Sequence, residues 1–203
     1  MTEQQPYRIM RNCGVFEVRS YPEHLLAEVV IEGTFESAGN RAFRYLFAYI
    51  SGENHTSQKI AMTAPVAQEP APEKISMTAP VIQQEIKGQG NGGGMPKFRV
   101  SFVLPQRFTV EDAPAPTNPL VHLRLVPRSV AVVIRFSGRW STANYQQHLQ
   151  TLRIAVRQSG LTAIGPPRFA RFDPPFKPWF LRHNEIALDI EEAELDGTGS
   201  SPT

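Results

Sequence analysis

One phrase is written twice in this chain. Lys59-Ile60-Ala61-Met62-Thr63-Ala64-Pro65-Val66 returns as Lys74-Ile75-Ser76-Met77-Thr78-Ala79-Pro80-Val81, and seven of the eight positions are identical. The copies start fifteen residues apart (74 − 59), which is room for one strand, a turn and the next strand. Within each copy the apolar residues alternate, with Ile60, Met62, Ala64 and Val66 on one face and Ile75, Met77, Ala79 and Val81 on the other strand's equivalent. The pattern predicts a hairpin. Pro65 and Pro80 lack an N–H for the ladder, so each strand should bulge or lie at an edge there.

A second, looser repeat organises the whole chain. Pro22, an apolar strand, Gly33, a helix and Gly52 are matched by Pro127, an apolar strand, Gly138, a helix and Gly160. The offsets are 105, 105 and 108 (127 − 22, 138 − 33, 160 − 52). Further strands are expected at 7–10, 16–21, 25–31, 98–104, 121–126, 130–136, 169–172 and 185–190. Thr34 and Ser141 are placed to cap the two helices. Their expected buried stripes are Phe43, Leu46, Phe47 and Ile50 in the first, and Tyr145, Leu149, Leu152 and Val156 in the second. Duplicated strand–helix units of this kind predict an α+β fold: a curved antiparallel sheet or distorted β-barrel with two packed helices. We expect one domain over 1–193, with halves near 7–104 and 120–192 and a disordered acidic-to-small tail at 194–203.

Composition excludes several functions. A net charge of +2 with scattered basic residues offers no track for a phosphate backbone, so no nucleic-acid partner is expected. No run approaches eighteen apolar residues, so no membrane span is expected. The first six residues are polar and lack the apolar stretch of a secretory signal, which points to a cytoplasmic protein, expected to be monomeric. Cys13 is the one cysteine and has no partner for an internal disulfide. The glycine-rich stretch 88–96 lacks the Lys-Ser or Lys-Thr of a phosphate loop and reads as a mobile surface loop.

The doubled Lys-Ile-x-Met-Thr-Ala-Pro-Val resembles the SOUL heme-binding protein family. Three further stretches carry the likeness: Phe16-Glu17-Val18-Arg19-Ser20-Tyr21, the run from Val130 to Gly138, and Asp173-Pro174-Pro175-Phe176-Lys177-Pro178-Trp179-Phe180-Leu181-Arg182-His183-Asn184-Glu185. The resemblance implies a duplicated barrel-like α+β domain. It also implies reversible, non-covalent binding of heme or another porphyrin beside the first helix and the Pro-rich C-terminal loop. In a heme-binding relative the helix is basic at the places of Asn40 and Ala48, so Arg41 and Arg44 would have to substitute from neighbouring positions.

A porphyrin presents an apolar plate, two carboxylates and a metal. Its site therefore needs flat apolar walls, a cation or two and, optionally, an axial ligand. Burying roughly 400 Å² of plate is worth on the order of 10 kcal/mol gross, whereas an exposed ion pair adds about 0–1 kcal/mol. Walls should set affinity and cations orientation. The candidate walls are Phe176, Trp179 and Phe180, which alternatively clamp their loop to the barrel; Met62 and Met77 fit either the groove or the core. Candidate polar partners are Arg41, Arg44, Tyr45, Lys177, Arg182 and His183. Of the five histidines His183 is the one axial candidate, since Ser20 stands where some relatives have a histidine. No Cys-x-x-Cys-His attaches heme covalently. Two other functions remain open. The fold also resembles gyrase-inhibitor-like domains, some of them hydrolases with a Glu at the start of a late strand, a place held here by Glu185. In the second, the groove takes a peptide and the chain is an interaction domain.

Overall fold

The computed structural model describes residues 3–55, 73–86, 95–174 and 176–196. In chain order the elements are β1 (Glu3–Gln4), β2 (Arg8–Asn12), β3 (Glu17–Tyr21), β4 (His24–Glu32), α1 (Phe35–Ile50) and β5 (Asn54–His55). Next come β6 (Thr78–Ile86), β7 (Lys97–Val103), β8 (Ala115–Pro116), β9 (His122–Val126) and β10 (Ser129–Phe136). The last are α2 (Thr142–Gln158), β11 (Ala163–Arg171), a 3-10 turn at Trp179–Leu181, β12 (Asn184–Ile190) and α3 (Ala193–Asp196). The first copy of the doubled phrase, with Met62, and residues 87–94 of the glycine-rich loop lie outside the described residues, as do residues 197–203 of the tail.

One large antiparallel sheet runs β2-β3-β10-β12-β11-β6-β7-β4-β9, and β1 adds a short parallel pairing to β6. From β3 to β9 this order maps onto its own reverse when β3 is exchanged with β9, β4 with β10, α1 with α2, β6 with β11 and β7 with β12. The duplication read in the sequence is thus built into the sheet. The antiparallel pair β6·β11 sits at its centre, with Arg171 opposite Val81. Each unit's leading strand crosses to the other unit: β3 pairs with β10, and β9 with β4. Exchanged strands make one body of the two halves.

Both helices cover the same face of the sheet. Thr34 caps α1, its hydroxyl accepting from Ser37 N at 3.2 Å while Ser37 Oγ accepts from Thr34 N at 3.1 Å. Ser141 caps α2 by accepting from Asn144 N. Gly160, at φ +73°, ends α2 in the left-handed conformation that a side chain disfavours. Leu149, Leu152 and Val156 are buried as expected, with Tyr145 half-buried. The stripe of α1 differs from expectation. Ala38, Gly39, Ala42, Leu46, Tyr49 and Ile50 face the sheet, while Phe43 is half-buried and Phe47 is exposed. Three small residues let the helix axis approach the strands, and this rotates Phe43 to the helix flank.

At Pro80 the ladder between β6 and β7 slips, with paired residues jumping from Thr78 to Val81, so the expected bulge is present. The strand begins only at Thr78, which leaves Ile75 and Met77 on the approach to it. Cys13 is half-buried against the α2 cluster.

The sheet's other face is built differently. Small apolar clusters, Tyr21 with Ala131, Val133 and Ala187, and Leu26 with Ile82 and Val103, alternate with buried charges. Arg19 clasps Glu185, Glu28 takes Arg99 and Arg124, and Arg168 takes Asp189. The N-terminal segment lies over this face, where Gln5 N donates to Ala79 O and Tyr7 covers the Arg19 guanidinium at 4.0 Å.

Candidate functional site

The groove of interest opens beside α1. It encloses about 330 Å³. Gly39, Asn40 and Phe43 line it from the helix, Met77, Ala79 and Val81 from the start of β6, and Phe172, Asp173 and Pro174 from the loop after β11. Trp140 and Arg171 complete the lining. These parts are far apart in sequence, and the β6·β11 pairing is what brings them together.

Trp140 is fixed as one wall by donating from Nε1 to Asn184 Oδ1 at 2.8 Å. The Arg182 guanidinium lies 4.3 Å from the indole centroid and that of Arg171 5.0 Å from it. Arg171 is 7 % exposed and donates from Nη2 to Gln83 Oε1 at 2.9 Å. Burial pulls its guanidinium down to about 10, against the opposing charge of Glu36, and it stays protonated at neutral pH. A Cβ on Gly39 would stand 2.7 Å from Arg171 Nη1 and 3.0 Å from Gln83 Oε1. Glycine at this helix position is what admits the guanidinium.

The other expected site residues are distributed as follows. Met77 lines the groove. Arg41 is turned to β4, its Nη1 donating to Glu32 O at 2.8 Å. Arg44 is exposed and Tyr45 packs on the α1 core cluster. None of these three helix residues is in the lining, and Asn40, the place that is basic in a relative, is. Lys177 Nζ donates to Asp173 Oδ1 at 2.7 Å, and its carbonyl accepts from Arg182 Nε at 2.9 Å. The Phe176, Trp179 and Phe180 rings are 86 %, 49 % and 58 % exposed, so they neither clamp the loop into the core nor wall the cavity. They form an apolar outer shoulder next to it in sequence.

His183 stacks on Phe172 at 4.0 Å with a 7° tilt and places Nε2 2.8 Å from Glu185 Oε1. It is absent from the groove's lining, so its imidazole serves the loop and the ion pair behind it. Glu185 is 4 % exposed and takes both Arg19 guanidinium nitrogens, at 2.9 and 3.1 Å. Burial alone would raise its carboxyl; hydrogen bonds from His183 and Arg19, with their charges, outweigh that and hold it below the usual range. The hollow beside Glu185 encloses about 30 Å³. That is room for about one water. A clasped carboxylate held low, with so little space beside it, suits a structural group, whereas a general base needs a raised pKa and room for substrate.

Most of the lining lies outside the residues that sequence reasoning singles out, with Phe43, Trp140, Arg171 and Phe172 the most consequential. Helical periodicity places Phe43 in the core stripe. Trp140 sits in a loop, and nothing nearby marks it. Arg171 carried a readable clue: in Phe169-Ala170-Arg171 the period of two puts a guanidinium on the same, helix-covered face as Phe169.

A duplicated α+β domain with an apolar groove at its first helix is a small-molecule-binding architecture. The chain matches the SOUL heme-binding protein model over residues 2–189, and it belongs to that family. It is 23% identical over 177 residues to Heme-binding protein 1 of Xenopus tropicalis, covering 83% of this chain and 84% of that one. Among solved structures it is similar to the C-terminal domain of EcmrR (TM-score 0.55, 11% identity, 91% of this chain and 98% of that one). It is also similar to a hydrolase from Listeria innocua (TM-score 0.57, 12% identity, 90% and 94%). At such identities the two structures share the fold. No described helix is long and apolar enough to cross a membrane.

Proposed function

We propose that this protein binds heme or a related tetrapyrrole reversibly and without covalent attachment, as a monomeric cytoplasmic carrier or buffer. The observation that supports this most is the groove at α1: a cavity of about 330 Å³ with Phe43, Met77, Val81, Trp140 and Phe172 as walls. The volume fits a plate held partly inside and partly over the exposed Phe176–Leu181 shoulder. Family membership supplies the ligand class. The residues present fit the group in two respects, flat apolar walls and a buried cation. No imidazole is among the described lining residues, and Met77 carries the soft sulfur there. Heme supplies its own iron chemistry when bound; this chain's residues exclude water from the plate and orient it.

The test is a titration of the full chain with hemin, followed at the Soret band. Phe43→Asp places a charge in the wall and should weaken binding at least tenfold; unchanged affinity would reject the groove.

A further inference from the structure

Arg171 is a buried cation with no counter-ion among the described residues. Among the described residues its Nε has no hydrogen-bond partner, and its side-chain partner is the neutral Gln83 amide oxygen. No carboxylate among the described residues forms an ion pair with it. Glu36 is the acidic group whose charge reaches it, and the Glu36 carboxylate is occupied by Thr142, accepting from N and Oγ1 at 2.8 Å each. Asp173 lines the same groove but accepts from Lys177 Nζ at 2.7 Å and from His183 N at 2.5 Å. Arg182 adds a second positive charge over the shared indole.

Rings surround the guanidinium: Trp140 at 5.0 Å, Phe169 at 5.3 Å and Phe35 at 5.8 Å. Such faces attract a cation but do not satisfy its N–H donors. An unpaired buried charge is costly, and a neutral side chain of similar volume would fold more cheaply there. Yet Gly39 leaves out the side chain that would exclude this guanidinium. The arrangement is expensive for folding alone and suits an anion arriving from the groove. Arg–carboxylate pairing is strong and planar in such a place.

We propose that Arg171 is the carboxylate anchor of the groove, so that a planar ligand enters with an acidic edge directed inward. This rests on the groove being the tetrapyrrole site. It gives the ligand a definite chemical class: a flat apolar molecule bearing at least one carboxylate. Lys177, spent on Asp173, is not the anchor.

The full chain is titrated with protoporphyrin IX and with its dimethyl ester in one detergent-containing buffer, following the Soret band and tryptophan quenching. Wild type should bind the diacid about tenfold tighter or more. Arg171→Met should erase that preference by weakening the diacid alone, with diester affinity within about twofold and apo Tm at or above wild type. Retained diester binding shows the groove intact, and Arg171→Gln repeats the test in a polar side chain. A diacid preference that survives both substitutions, or its absence in wild type, would overturn the anchor and leave the groove standing. Diacid and diester affinities both indifferent to Phe43→Asp would overturn the groove and the anchor together.

Discussion

Two buried arginines at opposite faces of one sheet have opposite chemistry. Arg19 is answered by Glu185 through a two-pronged pair and by Glu17, whereas among the described residues Arg171 meets an amide and aromatic faces. Removing the buried partner of the first should therefore be costly. Glu185→Ala leaves the buried Arg19 with the part-exposed Glu17 as its remaining ion-pair partner among the described residues, and should destabilise by up to about 3 kcal/mol in urea unfolding at pH 7. The same pair makes a pH prediction. The Glu185 carboxyl titrates lower in the folded than in the unfolded chain. Its contribution is thus complete above about pH 4.3, the unfolded carboxyl value, and is lost as pH falls through the folded one. The stability gap between wild type and Glu185→Ala should hold from pH 7 to about 5 and shrink below about pH 4. A gap that stays constant to pH 3 would show that the carboxylate charge is not what holds Arg19.

At the scale of elements, α1 is both a core helix and a groove wall, and Gly39 is where these roles meet. Gly39→Ala gains up to about 1 kcal/mol of helix propensity. It also crowds Arg171 and Gln83, which are buried and cannot withdraw freely. The two effects are of similar size, so Tm should move by only a few degrees. Hemin affinity, which depends on where the guanidinium sits, should fall several-fold in the titration. Parallel loss of Tm and affinity would mean that the helix itself had shifted. Local chemistry made much of this helix readable in advance: Thr34 before an apolar run and Gly52 after it bound it closely, and Ser141 with Gly160 does the same for α2. The buried stripe was less readable. Phe43 and Phe47 outrank Ala38 and Ala42 in hydrophobicity, but helix–sheet packing chose the smaller residues for their close approach. The loop aromatics show the converse. Three rings in five residues suggest a wall, yet Phe176, Trp179 and Phe180 point outward, and the wall comes from Trp140 and Phe172. Periodicity reports on one element; a groove made by four separate segments depends on pairings no local pattern encodes.

The whole molecule carries the duplication into its cavities. The exchange of α1 with α2 and β6 with β11 relates the groove to a second depression, which encloses about 530 Å³. Gln146, Leu149 and Arg153 line it from α2, with Gly165, Pro166 and Pro167 at the start of β11 and Gln84, Glu85 and Ile86 at the end of β6. It is larger, but Gln84, Glu85, Arg99, Gln146 and Arg153 make its rim polar, and a porphyrin face would strip these groups of water. One fold thus offers two related hollows, and side chains suit only the first to an apolar plate. Gln146→Ala should therefore leave hemin affinity within about twofold of wild type, measured by the same titration; a tenfold loss would place the ligand at the second hollow.

The account stands on the groove at α1 being the tetrapyrrole site. The most direct measurement is the hemin titration of the full chain beside Phe43→Asp, with circular dichroism confirming that both are folded. We predict saturation at one equivalent for wild type and at least a tenfold weaker curve for the variant. Superimposable curves from the two folded proteins would contradict it.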